Sequence, residues 1–166
     1  MPTYERLTRI EAPLETVWAF HDRPDGLEVL TPASVGLRFE SAVGPDGATI
    51  DDEIRPGADL VYSIDPFGIG HRREVTAKIV DRWQSDDRAG FTDVLQDVPG
   101  VSWRHTHELI ADGDATILRD HVEYGLEIDW IERLGSPLVT VGLGIAFRDR
   151  HRRTKARLEG ADHGGE

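Results

Sequence analysis

The chain has no cysteine, one methionine and only two lysines, Lys78 and Lys155. Without thiols it has neither disulfides nor thiolate metal sites. No stretch reaches the ~20 apolar residues that a membrane-spanning helix needs; the longest candidate, "PLVTVGLGIAF" (137–147), is too short and holds two glycines. The opening "MPTYERLTRIEAP" lacks the basic-then-apolar layout of a secretory signal, so a cytoplasmic location is expected. Basic charge is also scarce, with 19 Lys and Arg against 31 Asp and Glu and a net charge of −12. That balance excludes the basic footprint that nucleic acid requires. Acidic loops such as "DDE" (51–53), "SDD" (85–87) and "DGD" (112–114) spread the charge over the surface. Self-repulsion of this kind favours a salt-adapted, halophilic protein over a merely acidic mesophilic one.

Familiar catalytic loops are missing as well. "GIGHRR" (68–73) lacks the Lys-Ser/Thr and the helix of a phosphate-binding loop. Ser34, Ser41, Ser63 and Ser102 sit in no nucleophile-elbow context. One segment runs against the acidic trend: "RDRHRRTKAR" (148–157) carries six basic residues and one Asp. It reads as a solvated helix face near a helix C-terminus, where the macrodipole favours cations. A peripheral membrane or partner contact is the alternative.

What is present is a pattern of alternation. "TYERLTRIEA" (3–12) reads as a strand, and Pro13 opens a helix whose Leu14, Val17, Trp18 and Phe20 lie near helical spacing. A second short helix falls within 23–32, between Pro24 and Pro32. Strands are then expected at 35–41, 58–65, 71–83, 89–95, 101–110 and 115–128, and a helix from Ser136-Pro137 to about Leu158. The order is strand, two short helices, about six antiparallel strands and one long helix. A sheet with one apolar face must cover it, and only the last helix is long enough. Its apolar stripe is read as Leu138, Val141, Ile145 and Leu134. The expectation is one α+β domain over 1–160, with a disordered tail at 161–166. A curved sheet of six or seven strands grips the last helix around an internal cavity.

The most informative stretch is "VSWRHTHELI" (101–110). Trp103, His105, His107 and Leu109 alternate with Arg104, Thr106 and Glu108, so two histidines share the apolar face. If Asp112-Gly113 forms a two-residue turn, His105 faces Asp120; a longer loop puts His107 opposite Asp120. In both registers Asp120, Val122 and Tyr124 lie on the histidine face. Phe91 and Asp93 alternate in the same way on the preceding strand. A buried carboxylate needs a partner, and a facing imidazole supplies one. The cluster then reads in four ways: a hydrogen-bonded network that specifies the core, a ligand-orienting patch in a cavity, acid–base chemistry through His105 or His107 oriented by Asp120, or a His-x-His plus Asp metal set. Short His-x-His matches are common, so the sequence reading assigns neither metal nor cofactor.

The phrases "IEAPLETVWAFHDRPDGLEVLTP" (10–32), "FTDVL" (91–95), "WRHTHEL" (103–109) and "DHVEYGL" (120–126) resemble those of SRPBCC or START-like helix-grip proteins. The likeness is to a bacterial and archaeal branch described as ligand-binding, and it spans Tyr4 to about Leu158. It implies a helix-grip fold with a cavity, on a scaffold shared by carriers, receptors and polyketide cyclase or dehydratase-type enzymes. The expected partner is a small, largely hydrophobic molecule. The residues expected to face it are Trp18, Tyr62, Phe91, Asp93, Trp103, His105, His107, Asp120, Tyr124, Val141 and Ile145.

Overall fold

The computed structural model describes residues 1–31, 36–65, 71–126 and 129–159, with the backbone alone described at 27, at 126 and over 129–139. The expected tail at 161–166, the start of the strand expected at 35, and the side chains of Leu134 and Leu138 lie outside the described residues. In chain order the elements are β1 (Thr3–Ile10), α1 (Leu14–His21), α2 (Gly26–Leu30), β2 (Arg38–Val43), β3 (Asp59–Ile64), β4 (Arg73–Gln84), β5 (Arg88–Gln96), β6 (Val101–Asp112), β7 (Ala115–Leu126) and α3 (Asp129–Glu159).

The seven strands form one antiparallel sheet in the order β1-β7-β6-β5-β4-β3-β2. Consecutive strands from β2 to β7 are neighbours, and β1 adds beside β7. The two short helices therefore carry the chain from one edge of the sheet to the other. Register shifts at Phe39/Ser41 and Ile79/Asp81 mark bulges in β2 and β4. Bulges bend a strand and sharpen its twist, which curves the sheet. Gly90 in β5 is required by close approach: an added Cβ would meet the His107 carbonyl at 2.3 Å and the Trp83 ring at 2.4 Å.

Three expectations about boundaries are corrected. The second strand starts at Arg38 rather than 35. The last helix starts at Asp129, so Ser136-Pro137 lies inside it rather than at its start. Proline's fixed φ is compatible with a helix, while its missing N–H and its ring's clash with the preceding turn cost ~3 kcal/mol at that point. The β6–β7 turn is Gly113-Asp114, with Asp112 paired to Ala115, so the Asp112-Gly113 register is not the one formed. Gly113 has φ 65, the conformation that the first position of a type II′ turn demands.

The main core gathers Ile10, Val17, Trp18, Leu60, Ile79, Phe91, Leu109 and Leu118 beneath α1. A smaller cluster of Val122, Tyr124 and Phe147 seats α3 on β7. The end of α1 is pinned to β4 by a bidentate pair from Arg82 to the buried Asp22, with Arg82 Nε 2.9 Å from Oδ1. The same guanidinium lies 5.1 Å over the Trp18 ring.

Candidate functional site

Inward-facing positions of three neighbouring strands supply the polar cluster. Alternation puts Phe91 and Asp93 of β5, Trp103, His105 and His107 of β6, and Asp120, Val122 and Tyr124 of β7 on one side of the sheet. Cross-strand pairing sets Asp93 opposite His105, and His107 opposite both Phe91 and Asp120. The hydrogen bonds then run diagonally. His105 Nε2 is 2.8 Å from Asp120 Oδ1, and His107 Nε2 is 3.1 Å from Asp93 Oδ2. The two imidazoles stand with ring centroids 3.7 Å apart. His107 stacks on Phe91 at 4.3 Å, and the His105 ring meets the Phe147 edge at 5.1 Å.

Asp120 is fully buried and is the hub. Besides His105 it has His107 Nδ1 3.0 Å from Oδ1 and His151 Nε2 2.6 Å from Oδ2. When His151 donates through Nε2, its Nδ1 accepts from the Thr8 hydroxyl at 2.7 Å. Burial alone would raise the Asp120 carboxyl. The Arg150 guanidinium and the hydrogen bonds from His105 and His107 override it and hold the group well below the usual carboxylate range. His105 moves in the opposite sense to an exposed histidine beside an acid: burial pushes it down to about 4, so it is neutral at pH 7. A neutral His105 donating from Nε2 carries its lone pair on Nδ1.

Two helices complete the site with residues that the sequence did not single out. His21, the last residue of α1, has Nδ1 2.8 Å from the Val17 carbonyl, while its Nε2 is buried without a partner. Burial pushes this histidine down to about 4 as well. From α3, Arg150 Nη2 reaches His107 Nδ1 at 3.2 Å, and Arg150 Nε is buried without a partner. His21 sits one helical turn after Val17 on the buried face of α1, a spacing that could have flagged it. Arg150 and His151 were hidden inside a run of charges.

A cavity of about 270 Å³ opens against this cluster. Its walls are Leu30, Leu37, Ile54, Leu60, Val75, Leu95 and Ala146, among others, and its polar end is His21, Asp93, His105, His107 and Arg150. Of the residues expected to face a ligand, Tyr62, Phe91, Asp93, Trp103, His105 and His107 line it. The Tyr62 hydroxyl is tied to the Pro24 carbonyl at 2.8 Å, and burial pushes the phenol above its usual range. The other five are not in its lining, and Asp120 lies beneath it. Trp18 packs in the core beside Phe91. Tyr124 is buried against α3, with its hydroxyl 2.5 Å from Thr140 Oγ1. Val141 and Ile145 are exposed, at 60% and 66%, on the opposite side of α3. The face that α3 buries is Phe147, Arg150, His151, Thr154 and Leu158.

The basic segment is likewise not one solvated face. Arg150, His151 and Thr154 are buried, Arg152 and Arg153 pair with Asp149, and Lys155 pairs with Glu159. Among the described residues no helix is long and apolar enough to cross a membrane. Three donor residues are close enough together to hold a metal ion, Asp93, His105 and His107, with ligand atoms all within 4.8 Å of one another.

No family model and no curated protein matches this sequence. Solved structures do match over nearly the whole chain. Norcoclaurine synthase of Thalictrum flavum, as a point mutant with a transition-state analogue, superposes with a TM-score of 0.66 at 16% identity, covering 97% of this chain and 96% of that one. The same enzyme with dopamine and hydroxybenzaldehyde gives 0.62 at 18% identity, covering 99% and 89%. A protein of Chromobacterium violaceum gives 0.66 at 16% identity, covering 95% and 96%. At such identities the likeness is one of fold: this chain shares with these structures a helix-grip architecture, an antiparallel sheet packed on a long C-terminal helix.

Proposed function

We propose that the protein binds a small, largely apolar molecule in the cavity between the sheet and α3. The observation that carries this reading is the cavity itself: a half-open, apolar-walled space of about 270 Å³ that ends in a compact polar cluster. Small-molecule sites have this layout, apolar walls with a few placed polar groups that fix orientation. The volume lies just below the usual ~300 Å³ lower bound, which favours a molecule of one or two rings over a long lipid. His21 Nε2 and Arg150 Nε, an acceptor and a donor left without protein partners, suit a ligand with a hydroxyl or carbonyl at one end.

Native mass spectrometry of freshly purified protein tests this, with an apolar species of matching size expected to accompany the chain. Filling the cavity with Val75→Phe removes that species while the fold persists. A chain that always flies bare, and whose thermal midpoint no apolar aromatic or terpenoid compound raises, contradicts the reading.

An enzymatic reading, a cyclase or dehydratase-type reaction, has one observation in its favour. His105 is oriented by the Asp120 carboxylate and set at the cavity wall, within reach of a bound molecule. Conversion of the captured compound that falls ~10²–10⁴-fold in His105→Gln, with affinity kept, would establish it.

A further inference from the structure

We propose that Asp93, His105 and His107 form a binding site for one divalent transition-metal ion at the polar end of the cavity, with Asp120 as the positioning residue for both imidazoles. The proposal does not depend on the apolar-ligand reading.

The geometry comes first. Asp93 Oδ2 stands 3.1 Å from His107 Nε2 and 4.0 Å from His105 Nδ1, and all three donor atoms fall within 4.8 Å of one another. Metal–nitrogen and metal–oxygen bonds of ~2.1 Å place adjacent donors about 3 to 3.5 Å apart. Small side-chain adjustments therefore bring the three onto one ion. Two imidazoles and one carboxylate on one side of an ion leave its other positions open, here toward the cavity. Imidazole and carboxylate donors without thiolate suit Zn²⁺, Co²⁺, Fe²⁺ and Mn²⁺.

The surroundings match as well. Metal-ligating histidines characteristically give their other N–H to a carboxylate, which fixes the tautomer. His105 Nε2 lies 2.8 Å from Asp120 Oδ1, so its Nδ1 is the metal-facing atom. His107 Nδ1 lies 3.0 Å from the same oxygen, which leaves Nε2 as the metal-facing atom when Nδ1 carries the proton. Asp120 is itself held at its other oxygen by His151 at 2.6 Å, and His151 by Thr8 at 2.7 Å. That is a second and a third layer of support around two ligands.

His107 also has Arg150 Nη2 3.2 Å from Nδ1 and Asp93 Oδ2 3.1 Å from Nε2, so both ring nitrogens have partners on the side the metal would use and on the side that Asp120 and Arg150 hold. Two carboxylates, Asp93 and Asp120, stand beside the two imidazoles, with the Arg150 guanidinium at His107 and Arg6 paired across the strand with Asp120. The open coordination positions face a wall where His21 and Arg150 each keep one buried nitrogen unpartnered. These nitrogens suit a metal-bound water or an oxygen of a ligand.

The test uses tag-free full-length protein stripped with a chelator, titrated with Co²⁺ and with Zn²⁺ by calorimetry. Co²⁺ absorption and X-ray absorption spectra report the ligands. One equivalent is expected to bind, with two histidine nitrogens in the shell. Asp93→Asn, His105→Gln and His107→Gln should each abolish stoichiometric binding, and His121→Gln on the outer face should leave it unchanged. Asp120→Asn should weaken the affinity ~10–100-fold while the same ligands remain in the spectrum. If a triad variant fails to fold, the wild-type spectrum decides. No stoichiometric binding by folded wild type, or an ion without histidine nitrogens, overturns the proposal, as does binding that survives all three triad substitutions. The cavity-filling Val75→Phe separates the two readings, because it should remove the organic ligand and leave the metal titration intact.

Discussion

His21 shows how one residue ties stability to pH. It is buried, its Nδ1 donates to a backbone carbonyl 2.8 Å away, and its Nε2 has no partner. Burial comes first among the causes that push it down to about 4; Arg150 and His107 act in the same direction, while the Val17 carbonyl and Asp120 oppose them. In the unfolded chain it titrates near 6.5. Between those values the unfolded state binds more protons than the folded one, so stability is full above pH 6.5 and falls as the pH drops toward 4. The contribution lost by pH 4 is about 3 kcal/mol, at 1.36 kcal/mol per pKa unit. Denaturant midpoints taken across this window should fall with acidity in wild type and fall less steeply in His21→Leu. Equal slopes in the two proteins would contradict it. The loss from Asp120, an acid held low, belongs to a different window, below pH 3.8.

At the scale of elements, α3 teaches why patterns mislead. Among its described side chains the aliphatic Val141 and Ile145 are exposed, while the buried ones are Phe147, Arg150, His151, Thr154 and Leu158. Polar residues on a buried face are affordable only with partners, and here Asp120, His107 and Thr8 provide them. A hydropathy reading has no access to those partners before the fold is known. Strands were more legible because their period of two survives errors of register. Both candidate registers of the β6–β7 hairpin kept His105, His107 and Asp120 on one face, although the turn formed one residue later than Asp112-Gly113. The strand part of the site was thus readable, and the helix part, His21, Arg150 and His151, was not. Phase also gives a test. Ile145→Gln and Val141→Thr should change stability by less than about 0.5 kcal/mol, as exposed substitutions do. Phe147→Ala removes a ring that packs on Tyr4 at 5.3 Å and on His105, and should cost ~3 kcal/mol or more. Chemical denaturation measures all three, and a larger loss at Ile145 than at Phe147 would reverse the assignment of faces.

The whole molecule carries a net charge of −12, and two opposing effects of salt meet in it. Screening weakens the exposed ion pairs, such as Arg119 with Glu5 and Arg23 with Asp25, but solvent already leaves pairs of this kind contributing little. The buried network around Asp120 is screened much less. Repulsion among unpaired acids is spread over the surface, acts on the compact state most, and is what salt relieves. The expected net effect is stabilisation. The thermal midpoint should therefore rise from low salt, with most of the gain complete as the Debye length shrinks from ~10 Å at 0.1 M to ~3 Å at 1 M. A sulfate salt adds a second effect, exclusion from apolar surface, which continues beyond that range. Comparing sodium chloride with sodium sulfate at matched ionic strength separates them: a common rise at low ionic strength belongs to the acidic surface, and divergence above it belongs to burial. A midpoint that stays level or falls in sodium chloride would place the ion pairs above the repulsion and remove the case for salt adaptation.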